Sequence, residues 1–138
     1  MFTLDPAFEA TSTPLTEMWL CSVRLQLDAR WPWLVMIPRG EALVELENLY
    51  REDRLALTDE LIRAGQAVRA IGEAIGRPVE KLNIGQLGNI TRQLHFHVIG
   101  RRADDAAWPG PVWGHGAAEA IDAKTLRTMQ DAARRVLG

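Results

Sequence analysis

The chain has 138 residues, of which 47% are hydrophobic and 25% are charged, as in an ordinary globular protein. This length predicts one domain over residues 1–138, with a core that needs no disulfide or metal to hold it. Sixteen basic and 18 acidic residues give a formal net charge of −2, which argues against a protein that binds the nucleic-acid backbone.

The single cysteine, Cys21, cannot form an internal disulfide, so the sequence does not indicate a cross-linked secreted scaffold. No apolar run is long enough to cross a bilayer, and the first residues lack the basic and apolar regions of a signal peptide. We therefore expect a cytoplasmic protein that acts without a membrane, with Cys21 buried as a small side chain.

The first third of the chain predicts a short helix followed by a hairpin. Asp5 suits the N-cap of that helix, and Pro6 suits its first position. Farther along, polar and apolar residues alternate, and a continuous apolar run then stops at Pro38. In chain order these patterns predict a helix over 5–10, a loop over 11–16, strands over 18–28 and 33–37 that form a hairpin over 18–38, and a short helix over 42–49.

The strongest periodicity predicts one long amphipathic helix over about 53–76. Gly76 followed by Arg77 and Pro78 would end it. A helix of this length spans roughly 36 Å at 1.5 Å per residue, so it must pack across a sheet or against a partner. Its apolar stripe repeats at intervals of three and four residues and consists of Leu57, Leu61, Ala64, Val68, Ile71 and Ile75.

The second half predicts two more strands and a terminal helix. The elements are a strand over 81–87, a Gly/Asn loop over 88–91, a strand over 94–99, an irregular Trp/Pro/Gly-rich loop over 106–116, and a helix over 123–137. Strands, long helix, strands and helix in this order predict an α+β fold with an antiparallel sheet.

The residues best suited to catalysis or ligand binding lie in and just before the strand over 94–99. Side chains of a strand alternate between its faces, so Gln93, His95 and His97 form a row spaced about 6.6 Å apart on one face. The apolar residues between them face the core. A row of histidines binds a metal, attacks an electrophile or donates hydrogen bonds to an anion.

Two other interpretations of this row remain open. A metal site needs a third ligand, and the candidates are His115, Cys21 and Glu41, none of which lies at a metal-like spacing. Alternatively, the two histidines lie on a solvated strand face. The preceding Gly-Asn-Ile-Thr loop favours an anion instead, because the backbone N–H groups of such a loop can cradle phosphate.

These segments resemble the histidine-triad (HIT) family of nucleotide hydrolases and transferases. Residues 94–100 (LHFHVIG) are similar to its signature strand, His-φ-His-φ-His-φ-φ with φ apolar. Residues 33–39 (WLVMIPR) are similar to the family's LVIPK/R strand, and the long helix lies between the two. The resemblance covers about 23–101, which leaves a loop and a terminal helix over 102–138 outside it.

The resemblance implies an α+β homodimer that forms a covalent nucleotidyl-histidine and then transfers the nucleotide to water or another acceptor. By position, His95 matches the nucleophile and His97 matches the histidine that bonds a phosphate oxygen. For nucleotide and phosphate binding, the matching positions are Asn83, Asn89, Thr91 and, for the ribose hydroxyls, Asp28. No cofactor and no metal in the nucleophilic site are implied.

The chain departs from the family pattern at two positions. Gln93 replaces the first histidine, which supports protonation and orientation of the site. An amide side chain can form hydrogen bonds there, but it does not titrate. Trp33 replaces a further histidine on the Ile-Pro strand, and we interpret it as a core residue rather than a platform for a base. The predicted function is attack on the α-phosphate of a purine nucleoside derivative, either a dinucleoside polyphosphate or a phosphoramidate. The alternative is a nucleotide-binding domain with little or no catalysis.

Overall fold

A computed structural model describes residues 1–138, which form a five-stranded antiparallel sheet packed against two long helices. In space the strands follow the order β1-β2-β3-β5-β4. The predicted α+β class is confirmed. In chain order the elements are α1 Pro6–Thr11, β1 Ser12–Glu17, β2 Cys21–Gln26, β3 Trp33–Pro38, α2 Arg51–Ala74, β4 Lys81–Gly85, β5 Phe96–Arg101 and α3 Ala123–Leu137.

Both faces of the sheet are apolar at its centre, since every residue of β3 is buried. Leu34 and Met36 join α2 and α3 in the larger core. Trp33 and Ile37 point the other way, because side chains alternate along a strand, and belong to a smaller apolar cluster. That second face is covered by α1 and by the loop that follows β5, so it is a sheltered surface on which a site can form.

The long helix matches its predicted apolar stripe. Leu57, Ala64, Val68 and Ile71 are buried in the larger core, and the remaining stripe residues pack against it. The helix starts and ends two residues before the predicted bounds. Gly76, just beyond its C-cap, has φ +75, a conformation that glycine adopts without a steric penalty. None of the helices combines the length and the apolarity needed to cross a bilayer.

Two predicted elements are wrong. Residues 11–16 do not form a loop, because Ser12–Glu17 is an edge strand that pairs with β2. Its register shifts between Pro14 and Thr16, and an edge position with such an irregularity is where a strand accommodates proline. The helix expected over 42–49 is a single 3₁₀ turn at Leu46–Asn48.

The remaining bounds differ by a few residues. The hairpin over 18–38 is confirmed by the antiparallel pairing of β2 with β3. The fourth strand ends at Gly85 rather than at residue 87, and the fifth begins at Phe96 rather than at residue 94. The short helix and the terminal helix lie where their N-caps, Asp5 and Asp122, predict them.

Candidate functional site

A pocket of about 420 Å³ opens on the sheet face opposite the long helices. Its walls come from four parts of the chain. They are the turn after β2, the start of β3, the loop before β5 together with its two histidines, and the loop after β5. The pocket therefore lies where the predicted phosphate loop and the predicted histidine row meet.

The alternation along the fifth strand confirms the predicted orientation of the histidines. Leu94, Phe96 and Val98 are buried in the larger core. His95 and His97 consequently point to the other face, where both line the pocket. Their ring centroids are 4.9 Å apart, so the two imidazoles are in contact.

The surroundings of His95 assign its tautomer. Its Nδ1 lies 2.7 Å from the backbone carbonyl oxygen of Gln93. A carbonyl oxygen only accepts hydrogen bonds, so Nδ1 carries the hydrogen and Nε2 keeps the lone pair. Burial lowers the pKa of His95, although the bond to Gln93 opposes this shift. The ring is therefore a neutral imidazole with a nucleophilic Nε2 at pH 7.

The surroundings of His97 assign the opposite tautomer. The indole N–H of Trp33 donates to His97 Nδ1 at 2.9 Å. An indole nitrogen only donates, so Nδ1 of His97 holds a lone pair and Nε2 carries the hydrogen. Burial, followed by the proximity of His95, lowers the pKa of His97 to about 3. The site thus presents one lone pair and one N–H donor on adjacent neutral rings.

Gln93 turns its side chain away from this pair. Its Oε1 accepts from the Asp5 N–H and its Nε2 donates to the Thr3 carbonyl oxygen, each at 2.8 Å. The amide is not part of the pocket wall. Gln93 therefore holds the N-terminal segment with its side chain and contacts His95 with its backbone carbonyl. That segment also brings Phe8 edge-on to the His95 ring, at 4.9 Å between centroids.

The loop before β5 offers free hydrogen-bond donors to the pocket. Asn89 and Thr91 line it, and neither side chain has a hydrogen-bond partner within the chain. The backbone N–H groups of residues 88–92 have no intramolecular acceptor either. Gly88, at φ +85, gives the loop its turn. Successive backbone N–H groups without an acceptor in the chain are available to bind an anion.

Asp28 also lines the pocket and is paired with Arg30. The Arg30 guanidinium donates to both carboxylate oxygens of Asp28, at 2.9 and 3.0 Å, and also to the His115 carbonyl oxygen. Asp28 further accepts from the Glu119 N–H at 3.3 Å. Burial opposes ionisation, but these hydrogen bonds outweigh it and hold the pKa of Asp28 below its usual range. The pair thereby ties the loop after β5 to the pocket.

Asn83 does not reach the pocket. Its Oδ1 accepts from Arg101 at 2.7 Å. Arg101 is fully buried, forms an ion pair with Asp105 and donates to the Gly110 carbonyl oxygen. Asn83 is therefore connected to the loop after β5 through this guanidinium, rather than to the histidines.

Sequence reasoning missed the roles of three aromatic and basic residues. Trp33 was interpreted as core, and it is indeed buried, but it also lines the pocket and contacts a histidine. Its position on the strand that pairs with the histidine strand was the available signal. Arg30 and Trp113 carried no such signal, because the loop around Trp113 has no periodicity. Trp113 packs over Gly85, and its ring centroid lies 5.4 Å from that of His97.

Neither Cys21 nor His115 joins the pocket wall. Cys21 is fully buried, as expected, and burial together with Glu60 raises the pKa of its thiol. No three His, Cys, Asp or Glu side chains come close enough together to hold a metal ion.

A model of the HIT domain family matches residues 7–104, more than half of the chain. The chain belongs to the HIT family. Members of the HIT family are generally nucleotide hydrolases or transferases. The match includes both histidines and the loop before them, but it ends before the loop that closes the other side of the pocket.

Solved HIT-family structures resemble this chain over nearly its whole length. A histidine triad protein from Sinorhizobium meliloti 1021 is 42% identical, with a TM-score of 0.89 and coverage of 99% of this chain and 98% of that one. One from Bradyrhizobium japonicum is 34% identical, with a TM-score of 0.92 and the same coverage. One from Marinobacter aquaeolei VT8 is 32% identical, with a TM-score of 0.89 and coverage of 99% and 96%. A comparison with curated proteins gave no significant match.

Proposed function

We propose that this HIT-family protein attacks the α-phosphate of a purine nucleoside derivative and forms a nucleotidyl-histidine, which is hydrolysed or passed to an acceptor. Dinucleoside polyphosphates and nucleoside phosphoramidates are the substrate classes. The observation that supports this most strongly is the opposite tautomers of His95 and His97. One ring offers a lone pair and its neighbour offers a hydrogen-bond donor, which is what attack on an anionic phosphate requires.

In the first step the lone pair on His95 Nε2 forms a bond to the α-phosphorus. The bond from phosphorus to the leaving group breaks, and its electron pair departs with the leaving group. The hydrogen stays on Nδ1, which still donates to the Gln93 carbonyl oxygen, so the phosphorylated imidazole carries a positive charge. In the second step water or another acceptor attacks phosphorus, and the bond from phosphorus to Nε2 breaks with its electron pair returning to Nε2. The proton of the attacking group passes to solvent, and the imidazole is neutral again.

The donors around the pocket suit a phosphate between the histidines and the loop before β5. His97 Nε2–H, the side chains of Asn89 and Thr91, and the free N–H groups of residues 88–92 stabilise the charge on the phosphate oxygens. We propose that the ribose extends toward Asp28 and Arg30, and that the base packs on the apolar wall formed by Val112 and Trp113. In this arrangement Asn83 acts indirectly, by positioning Arg101.

The test is to trap the covalent nucleotide. The protein is mixed with diadenosine tetraphosphate, quenched rapidly and digested for mass spectrometry. We expect an AMP adduct on the peptide that contains His95, together with AMP release. Both should be lost in His95→Ala and retained in the matched variant His115→Ala, whose ring is outside the pocket wall. Nucleotide binding without adduct or turnover would instead support a binding domain.

We also propose that the protein is a homodimer. Leu55 and Ile62 lie two turns apart on the same face of α2 and are 59% and 57% exposed, and Ile84 on the edge strand β4 is 51% exposed. Apolar side chains on a free strand edge and on a neighbouring helix favour association with a second copy. Light scattering at micromolar concentration should give twice the chain mass for the parent protein. The Ile84→Glu variant should give a lower mass, closer to that of one chain. A parent protein of monomer mass would contradict this proposal.

A further inference from the structure

We propose that the Trp33–His97 hydrogen bond restricts this protein to nucleotide derivatives whose leaving group departs as an anion, such as a phosphate, and excludes those that leave as an amine. This inference rests on the proposed nucleotidyl transfer to His95. It narrows the two substrate classes to phosphoanhydrides and esters of acidic alcohols.

The restriction follows from the balance of protons in the first step. When a phosphorus–oxygen bond to a phosphate breaks, the electron pair stays on an oxygen that is stable as an anion. When a phosphorus–nitrogen bond breaks, the pair goes to a nitrogen that must gain a proton as it leaves. An amine leaving group therefore needs a general acid in the pocket, and general acids contribute about 10²–10⁴-fold to such reactions.

His97 is the group nearest to that task, and Trp33 prevents it. An imidazole becomes an acid only when both of its nitrogens carry hydrogen. On His97 the second hydrogen would have to sit on Nδ1, 2.9 Å from an indole N–H that has no lone pair to accept it. Trp33 is itself 6% exposed, so its indole has little room to turn away. A histidine at this position could accept or relay that proton, whereas a tryptophan cannot.

No other titratable group of the pocket wall supplies the proton. His95 is the nucleophile, and its Nδ1–H is held by a backbone carbonyl. Asp28 is ionised and bonded on both oxygens by Arg30, which is a permanent cation. Gln93 does not titrate and points away. Protein groups thus supply donors for the phosphate but no acid for the leaving group.

The experiment compares two chromogenic substrates of equal size: the 4-nitrophenyl ester of AMP, which releases an anion, and AMP 4-nitroanilide, which releases an amine. We expect the parent protein to favour the ester in kcat/KM by at least about 10²-fold. Trp33→His should lower this ratio at least about tenfold, mainly through kcat for the anilide, and that activity should rise as the pH is lowered from 7 to 5.5.

Trp31→Phe is the matched control, because Trp31 is buried in the same cluster, 6.3 Å from Trp33, and makes no bond to His97. Its ester-to-anilide ratio should equal that of the parent. Trp33→Phe is a second variant, which keeps an aromatic ring but lacks the N–H donor; it too should gain anilide activity at low pH. A Trp31→Phe ratio that falls as far as the Trp33→His ratio would overturn the inference, because general loosening would then explain the change.

Nitrogen-15 NMR of the unmodified protein gives a readout that needs no variant to fold. His97 should show a lone-pair Nδ1 and a protonated Nε2, unchanged from pH 7 to pH 5. Titration of His97 Nδ1 within that range, or cleavage of both substrates within tenfold of each other, would overturn the inference and leave nucleotidyl transfer intact. Absence of turnover and of any His95 adduct would overturn the transfer itself, and this inference with it.

Discussion

Gln93 binds the N-terminal segment through its side chain and His95 through its backbone: Oε1 accepts the Asp5 N–H at 2.8 Å, while the Gln93 carbonyl oxygen accepts from His95 Nδ1–H at 2.7 Å. Gln93 therefore connects the N-terminal segment to the imidazole of His95. Its own amide turns away from the histidines and is not part of the pocket wall.

Replacing Gln93 by Ala should release the N-terminal segment. The variant loses one partly buried and one exposed hydrogen bond, so we expect the free energy of unfolding to fall by about 1–2 kcal/mol. Hydrogen exchange at the Asp5 N–H should accelerate. Gln86→Ala, whose amide contacts only the next carbonyl at 3.4 Å, is the control and should change stability little. A variant of Gln93 that loses turnover with normal stability and normal exchange would mean that the amide takes part in the reaction.

Replacing Asp28 by Asn should weaken nucleotide binding by the same factor whether or not the ribose carries its 2′ and 3′ hydroxyls. The carboxylate is nearly buried and holds Arg30 and the loop after β5, so its loss acts through the shape of the pocket. We expect the Kd for AMP to rise about tenfold, the scale of a lost charge-assisted hydrogen bond. Calorimetry with AMP and with its 2′,3′-dideoxy analogue should show the same loss. A loss confined to AMP would instead identify Asp28 as a direct ribose ligand. Asp131→Asn, on the exposed side of α3, is the control.

Replacing Asp105 by Asn should be strongly destabilising. Its side chain and that of Arg101 are 2% and 1% exposed, and removing one partner of a buried ion pair costs about 3–5 kcal/mol. Hydrogen bonds from Arg101 and from backbone N–H groups outweigh burial and hold the pKa of Asp105 well below its usual range. Because the folded-state pKa is depressed, this stabilisation is complete above about pH 4 and is lost as the pH falls further.

Urea unfolding at pH 7 and at several lower pH values measures both parts of that prediction. The neighbouring Asp104→Asn is the matched control, since Asp104 pairs with arginines at the exposed surface and should leave stability unchanged. Equal losses of stability in the two variants would show that burial of the Arg101–Asp105 ion pair does not determine how much the pair contributes to the free energy of unfolding.

The two histidines predict a second pH dependence, at milder acidity. Both have a lowered pKa in the folded protein, to about 3 for His97. The unfolded chain therefore binds protons first as the pH falls below about 6.5, and stability decreases with falling pH from there. His97→Gln should reduce this slope between pH 7 and pH 5. Turnover should persist below pH 6.5, because His95 stays neutral.

The sequence predicts the fold well where burial is periodic. The stripe of α2 and the alternation of Leu94, Phe96 and Val98 depend on spacing alone, and both place their residues in the core. Edge strand β1 was missed because its threonines, serine and proline lack the apolar alternation of a half-buried strand. Tertiary pairing with β2, which no local pattern contains, makes it a strand.

The site is predictable only in part, for a different physical reason. Face alternation and the loop composition bring His95, His97, Asn89 and Thr91 to one pocket. Which nitrogen of each histidine carries a hydrogen depends on partners far away in the chain. The Trp33 donor is 64 residues from His97, and no spacing rule reveals such a contact.

The pocket is assembled from two stretches of chain that meet only in three dimensions. The histidines and the donor loop lie within residues 7–104, whereas the wall from Val112 to Ala118 lies beyond them. Arg101 and Arg30 are the attachment points of that later segment. Exchanging the segment between its attachment points should consequently change which nucleotide the pocket accepts, while the backbone that carries His95 and His97 stays in place.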